Sequence, residues 1–193
     1  MKKYLLALTI PFLMSTQTVS AQAWTKNTNV ISVGLGASSF YHFDKTYRNS
    51  LLGFGRATYA PVTGQINVDG EFGVHEYIGV GFSTGLGGRA GLFTGYNGSF
   101  NIPLAAVANF HFYQLIQDKT GANLHADVLD IYAGANLGTG IAFVFYNSGT
   151  VAAPLVYGGV HVGIRWYFVE NIGLTGQFGF GRQLANIGVA FKL

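Results

Sequence analysis

Hydrophobic side chains recur at every second position along most of this chain, and the positions between them hold glycine or polar residues. In residues 66–74, INVDGEFGV, Ile66, Val68, Phe72 and Val74 frame Asn67, Asp69 and Glu71. A period of two belongs to an extended strand whose faces meet different environments. The pattern predicts a first strand at 29–39, where Ile31, Val33, Leu35 and Ala37 alternate with Ser32, Gly34, Gly36 and Ser38. A second follows at 65–75, and a third carries Ile78, Val80, Phe82, Thr84 and Leu86 against five small residues. A fourth at 102–113 sets Ile102, Leu104, Ala106, Ala108, Phe110 and Phe112 against Ala105, Asn109, His111 and Tyr113. A fifth at 128–142 sets Leu129, Ile131, Ala133, Ala135, Leu137 and Ile141 against Asp130, Tyr132, Gly134, Asn136 and Gly138. The sixth runs from Tyr157 to Phe168, the seventh from Ile172 to Phe180 and the eighth from Asn186 to Leu193.

The connections alternate in length. Long ones are expected at 40–64, 88–101 and 143–156 and short ones at 75–77 and 169–171, while a long turn at 114–127 and a short link at 182–184 depart from the rule. The segment QLIQDKTGANL has room for a turn or two of helix. Short turns on one rim and longer loops on the other are the layout of an up-and-down barrel in an outer membrane.

Parity decides which face meets which solvent. The large apolar face carries no Asp, Glu, Lys or Arg in any of the eight segments; Asp69, Glu71, Asp130, Arg165 and Lys192 all fall on the other face. A cation facing lipid at mid-membrane costs roughly 2–4 kcal/mol, so this segregation predicts hydrocarbon outside and a narrow polar lumen inside. An eight-stranded barrel has space only for side chains at its axis, which the many inward glycines accommodate. Closure also satisfies backbone groups that an open sheet would leave bare in hydrocarbon. The expected fold is all-β: a closed eight-stranded antiparallel up-and-down transmembrane β-barrel.

Composition sharpens this picture. Only 10% of the 193 residues are charged while 49% are hydrophobic, too apolar for an ordinary soluble surface, and no apolar window reaches the length of a membrane helix. The opening MKKYLLALTIPFLMSTQTVSAQA has two lysines, a short apolar run and small residues at Ala21 and Ala23, the plan of a secretory signal peptide over 1–23, leaving 24–193 for the barrel. Cleavage after Ala23, or after Ala21, leaves 11 − 2 = 9 basic against 8 acidic residues, so the net charge of +3 falls to about +1. Nucleic-acid binding then has no electrostatic basis. There is no cysteine for a lipid anchor or a disulfide.

Several stretches resemble a known family: EFGVHEYIGVG at 71–81, IPLAAVANFHF at 102–112, DIYAGANLGTG at 130–140, WYFVENIGLTGQFGFG at 166–181 and the terminal IGVAFKL. They look like the small eight-stranded outer-membrane barrels of the OmpA and OmpX type, closest to the barrel-only outer-membrane proteins of Bacteroidota. The resemblance implies a cell outer membrane of a Gram-negative bacterium as location, surrounding lipid and the outer-membrane assembly machinery as partners, and a monomer. It also implies that the last strand, with Ile187, Val189, Phe191 and Leu193, is the assembly signal. The chain departs from many proteobacterial relatives in ending on Leu193 rather than Phe, and a barrel without the separate cell-wall-binding domain of the OmpA type is expected.

Candidate chemistry is sparse. Counting from the short turns puts Glu71 and Arg165 at similar depth on opposite walls, which predicts an ion pair across the lumen with Asp130 competing for the guanidinium; Asp69 and Lys192 complete a lumen charge cluster. His111 and His161 also face the lumen. Trp24, Tyr77, Trp166 and Phe168 are expected in one interfacial girdle and Phe40, Tyr41, Phe100, Phe143 and Phe145 in the other. No nucleophile, base and acid converge, no metal-ligand spacing occurs and no cofactor is implied. GLGGRA at 85–90 matches a loose dinucleotide fingerprint but lacks the following helix that gives the motif meaning. The expected role is structural or surface-interacting through the outer loops, whose extracellular partner the sequence does not identify. A narrow porin-like channel and a secreted lipocalin-like barrel with an apolar ligand are the alternatives.

Overall fold

The computed structural model describes residues 22–44, 56–93, 96–182 and 184–193, with side chains left undescribed at 38–44, 56–63, 89–93 and 96–97. The signal peptide expected at 1–23 lies outside the described residues up to Ala21. The described chain forms β1 (Asn29–Asp44), β2 (Arg56–His75), β3 (Ile78–Phe93), β4 (Tyr96–Phe110), α1 (Phe112–Thr120), β5 (Leu129–Tyr146), β6 (Gly149–Val169), β7 (Ile172–Gly179) and β8 (Ala185–Lys192). Each strand pairs antiparallel with the next, and β8 returns to β1 from Val30↔Lys192 to Ala37↔Ala185, closing an eight-stranded barrel.

The register measures how the strands lean. Partners of Val33 lead through Val68, Thr84, Leu104 and Thr139 to Val156 on β6. In the other direction they lead through Val189 and Leu174 to Trp166 on the same strand. The displacement is 166 − 156 = 10 residues, which for eight strands tilts each by about 40° to the axis. At that tilt the lumen is narrow enough for side chains from opposite walls to touch.

The faces sort as the alternation predicts. Ile31, Val33, Leu35, Ile66, Phe72, Val80, Leu104, Leu137, Val160, Val162, Ile164 and Leu174 are exposed, whereas Ser32, Asn67, Glu71, Asn109, Asp130, His161, Arg165, Thr175 and Gln177 are buried. Glycines make room for the larger inward side chains. Gly163 pairs with Tyr132 across β5 and β6, and a Cβ on Gly163 would stand well inside contact distance of the Tyr132 ring. Gly163→Leu is therefore expected to destabilise the barrel by about 1–3 kcal/mol through overpacking, read by urea unfolding in detergent micelles. An unchanged midpoint would show that Tyr132 does not occupy that space.

Three expectations need correction. The long connections predicted at 40–64, 88–101 and 143–156 are largely strand, because the alternation weakens in sequence while backbone pairing continues. With 20 residues in β2 and 21 in β6, these strands are about twice the roughly 9–11 residues that a bilayer requires. The fourth strand ends at Phe110; His111 begins a helical turn, and Phe112 and Tyr113 belong to α1. The upper lumen is mixed rather than uniformly polar, with Ala105, Ala142, Val144, Leu155 and Tyr157 forming a buried cluster beside the buried Ser99 and Asn101.

That upper region owes its shape to the short β7–β8 hairpin, whose strands have only 8 residues each. Its link fills the gap between taller neighbours: the Phe180 N–H donates to Val160 O on β6 at 2.9 Å, and the Leu184 N–H donates to Ala37 O on β1 at 2.9 Å. Above the link, β1 and β6 pair directly at His42↔Leu155. Six strands thus continue outward around a largely filled interior.

Candidate functional site

The lower lumen brings four ionisable groups together. Glu71 stands on β2, Asp130 on β5 and Arg165 on β6, while His111 turns inward where the chain leaves β4. His111 Nδ1 lies 2.8 Å from Asp130 Oδ1 and His111 Nε2 lies 2.9 Å from Glu71 Oε1. Arg165 Nη1 donates to Asp130 Oδ2 at 3.2 Å, and Arg165 Nη2 donates to Glu71 Oε2. Each carboxylate gives one oxygen to the imidazole and the other to the guanidinium, making a closed ring. Both imidazole nitrogens face carboxylate oxygens, so the two contacts are both hydrogen bonds when the ring carries two protons, and two anions then balance two cations. Burial of all four side chains makes that balance energetically important.

Aromatic rings enclose the cluster. Trp24 is wholly buried and stacks on His111 with centroids 3.6 Å apart and planes 5° from parallel. The Arg165 guanidinium carbon lies 4.3 Å from the centroid of the Tyr132 ring. Residues just before β1 hold Trp24 in place: the Ala23 N–H donates to Ala126 O at 2.9 Å, the Asn27 N–H donates to Gly73 O at 2.8 Å, and the Gly73 N–H donates to Thr28 O at 2.8 Å. Gly73 permits this approach, since a Cβ there would come within 2.6 Å of Thr25 O.

Helix α1 lies beneath the mouth. Gln117 Oε1 accepts from the Leu124 and Ala126 N–H groups at 3.0 Å each, and Tyr113 Oη donates to Leu124 O at 2.8 Å. The Tyr77 hydroxyl donates to Asp118 Oδ2 at 3.0 Å, tying the β2–β3 turn to the helix. This hydrogen bond, strengthened by the nearby acidic charge, raises the Tyr77 phenol above its ordinary range.

A second network continues upward. Gln177 Nε2 donates to Tyr132 Oη at 2.9 Å, and Gln177 Oε1 accepts from Arg182 Nη2 at 2.5 Å. Arg182 Nη1 donates to Asp69 Oδ1 at 2.5 Å. His161 Nε2 lies 2.9 Å from Asn109 Oδ1. Asn67 Nδ2 reaches Asn186 Oδ1 at 3.5 Å. A water-filled pore would leave its lining accessible, whereas Asn67, Asn109, Arg165, Arg182 and Tyr132 are buried.

The structure therefore groups the expected residues differently. Glu71, Arg165 and Asp130 meet, but Asp130 shares the guanidinium with Glu71 instead of competing for it. Asp69 belongs to a separate pair with Arg182. Lys192 lies at the lower rim, where Nζ donates to Gln22 O at 3.2 Å and sits 4.6 Å from the Tyr167 ring centroid. Ile187, Val189, Phe191 and Leu193 share the outward parity of the last strand, with Ile187, Phe191 and Leu193 exposed. Trp24 is a lumen residue, not part of the girdle, while Trp166 and Phe168 are exposed at that rim with centroids 6.5 Å apart. Phe100 and Phe145 are exposed near the upper end, and the side chains of Phe40 and Tyr41 lie outside the described residues.

The sequence reading missed the bridging role of His111 and the inward turn of Arg182. A signal for Arg182 was present: Asp69 faces inward and needs a counter-charge, and Arg182 is the only charged residue between Glu170 and Lys192. Among the described residues no group of three His, Cys, Asp or Glu side chains is arranged to hold a metal ion.

No protein-family model matches the sequence, and no curated protein matches it significantly. Among solved structures, the chain is similar to Neisserial surface protein A (NspA), with 13% identity, a TM-score of 0.55, and coverage of 86% of this chain and 97% of that one. The N-terminal β-barrel domain of Pseudomonas aeruginosa OprF gives 14% identity, a TM-score of 0.50, and coverage of 88% and 98% respectively. At these identities the likeness concerns the fold, a small eight-stranded barrel.

Proposed function

We propose that this chain is an integral barrel of a Gram-negative outer membrane with a side-chain-plugged lumen and a structural or surface-interaction role through its outer hairpins. In this reading the leader over 1–23 directs export. The assembly machinery reads the outward row of β8, and the protein stands as a monomer in lipid without enzymatic activity or a cofactor. The carrying observation is inverted polarity: large apolar side chains face outward while Glu71, Asp130, Arg165 and Arg182 are buried inside. Only a hydrocarbon solvent makes that arrangement favourable. A soluble apolar-ligand barrel would need the reverse, and free passage of solutes is opposed by the filled lumen. The fold likeness to NspA, which is named as a surface protein, agrees with the surface role.

Fractionation and planar-bilayer recording test the reading. The protein is expected in the outer-membrane fraction, released by detergent and without a steady open-channel current; recovery as a soluble protein overturns the location, and steady conductance overturns the plug. Val162→Arg places a cation on the outward face at mid-barrel and is expected to lower folding stability in lipid by about 2–4 kcal/mol. Asn147→Arg, at an exposed hairpin tip, is expected to stay within about 0.5 kcal/mol of the parent. Equal effects of the two substitutions in a urea titration from vesicles would remove the lipid face from the argument.

A further inference from the structure

The apolar exterior does not end at one height around the barrel. On β7 and β8 it is confined to strands of 8 residues. On β3 the large apolar side chains of the outward row run only to Leu86, and Gly88 follows on the same face. On β5 and β6 no Asp, Glu, Lys or Arg occurs between Asp130 and Arg165, and the row continues through Ile141 and Phe145 on one strand and Val160 and Val156 on the other. Phe145 is 38% exposed and Val156 49%.

Tilt converts residues into height. At about 3.3 Å per residue and about 40° from the axis, each residue rises about 2.5 Å, so the outward row from Leu129 to Phe145 is about 40 Å tall against an ordinary apolar band of about 25 Å. The inward faces of the same strands are already packed by Ala142, Val144, Leu155 and Tyr157. The one hydroxyl in the tall β5 row is also satisfied, because Thr139 Oγ1 donates to Leu155 O at 3.0 Å and brings no unmet donor to the outside. At the tip, Asn147 and Ser148 are exposed and uncharged.

We propose that lipid acyl chains sheathe the β5–β6 hairpin almost to its Asn147–Ser148 tip, so that the hydrophobic belt stands higher here than beside β7–β8. This rests on the outer-membrane reading above. The occupant follows from continuity: the upper row extends, without a charged break, the wall that meets hydrocarbon around Val162 and Ile164. Such an uneven belt is accommodated by barrel tilt, local thickening of the bilayer, or both.

The cysteine-free sequence makes the test direct. Single variants Phe145→Cys, Val156→Cys, Val162→Cys and Asn147→Cys are labelled with an environment-sensitive fluorophore in phosphatidylcholine vesicles, with brominated-chain lipid or aqueous iodide as quencher. Labels at 145, 156 and 162 are expected to be quenched about twofold or more strongly by brominated lipid than by iodide, with the reverse at 147. Strong iodide quenching at 145 and 156, with 162 still lipid-quenched, overturns the tall belt and leaves the membrane reading standing. Ready disulfide dimers of Phe145→Cys or Val156→Cys also overturn it, by assigning the face to a second copy. Iodide quenching at 162 overturns both readings.

Discussion

Arg165→Ala is expected to lower barrel stability by about 3–5 kcal/mol, because removing one side of a buried ion pair leaves the opposing charge without its partner. Arg165 spans both carboxylates, donating to Asp130 at 3.2 Å and to Glu71 on the other branch. Without it, His111 alone must balance two buried acids, and the cation above the Tyr132 ring is lost too. Urea unfolding in micelles, followed by tryptophan fluorescence, measures the change. A second variant separates charge from packing: Glu71→Gln, Asp130→Asn and Arg165→Met together remove both anions as well as the guanidinium. This combination is expected to recover most of the loss, since neutral replacement of a buried ionic group is often tolerated. If the triple variant unfolds with the single one, lost packing explains the effect and the charge ring does not.

Trp24→Ala is expected to cost about 3–5 kcal/mol, the range for truncating a fully buried aromatic. Trp24 stacks on the imidazole that bridges Glu71 and Asp130, so its loss exposes the ring of charges to water at the lower mouth. Trp166 remains as the second tryptophan and serves as the fluorescence reporter. Trp24→Phe keeps a stacked ring and is expected to recover about half of the loss or more. An alanine variant as stable as the parent would show that the segment from Ala23 to Thr28 rests on the barrel without supporting it. Brief current steps in the alanine variant, absent from the parent, would further show that Trp24 helps to seal the lumen.

Much of the fold was legible because strand parity is local. Ile31, Ile78, Val162 and Leu174 declare their face through their immediate neighbours, and eight such rows imply a closed ring. The strand ends were less legible. Thr58 through Val62 and Thr150 through Pro154 lack a clean two-residue alternation, yet their backbones remain paired because adjacent strands provide partners at those heights. The candidate site was partly legible for the same reason. Glu71 and Arg165 could be placed by counting from short turns, but His111 stands after a strand and Arg182 in a link, where parity does not apply.

The sequence by itself determined the number of strands, the face of each regular strand residue and the inward placement of Asp69, Glu71, Asp130 and Arg165, since each follows from neighbours one or two positions away. Only the tertiary structure decided which charges meet. The displacement of 10 residues around the ring accumulates over eight pairings and sets Glu71, Asp130, His111 and Arg165 at one depth. Ring closure across a narrow lumen then brings together side chains from β2, β5, β6 and the end of β4. No short stretch of chain contains that sum.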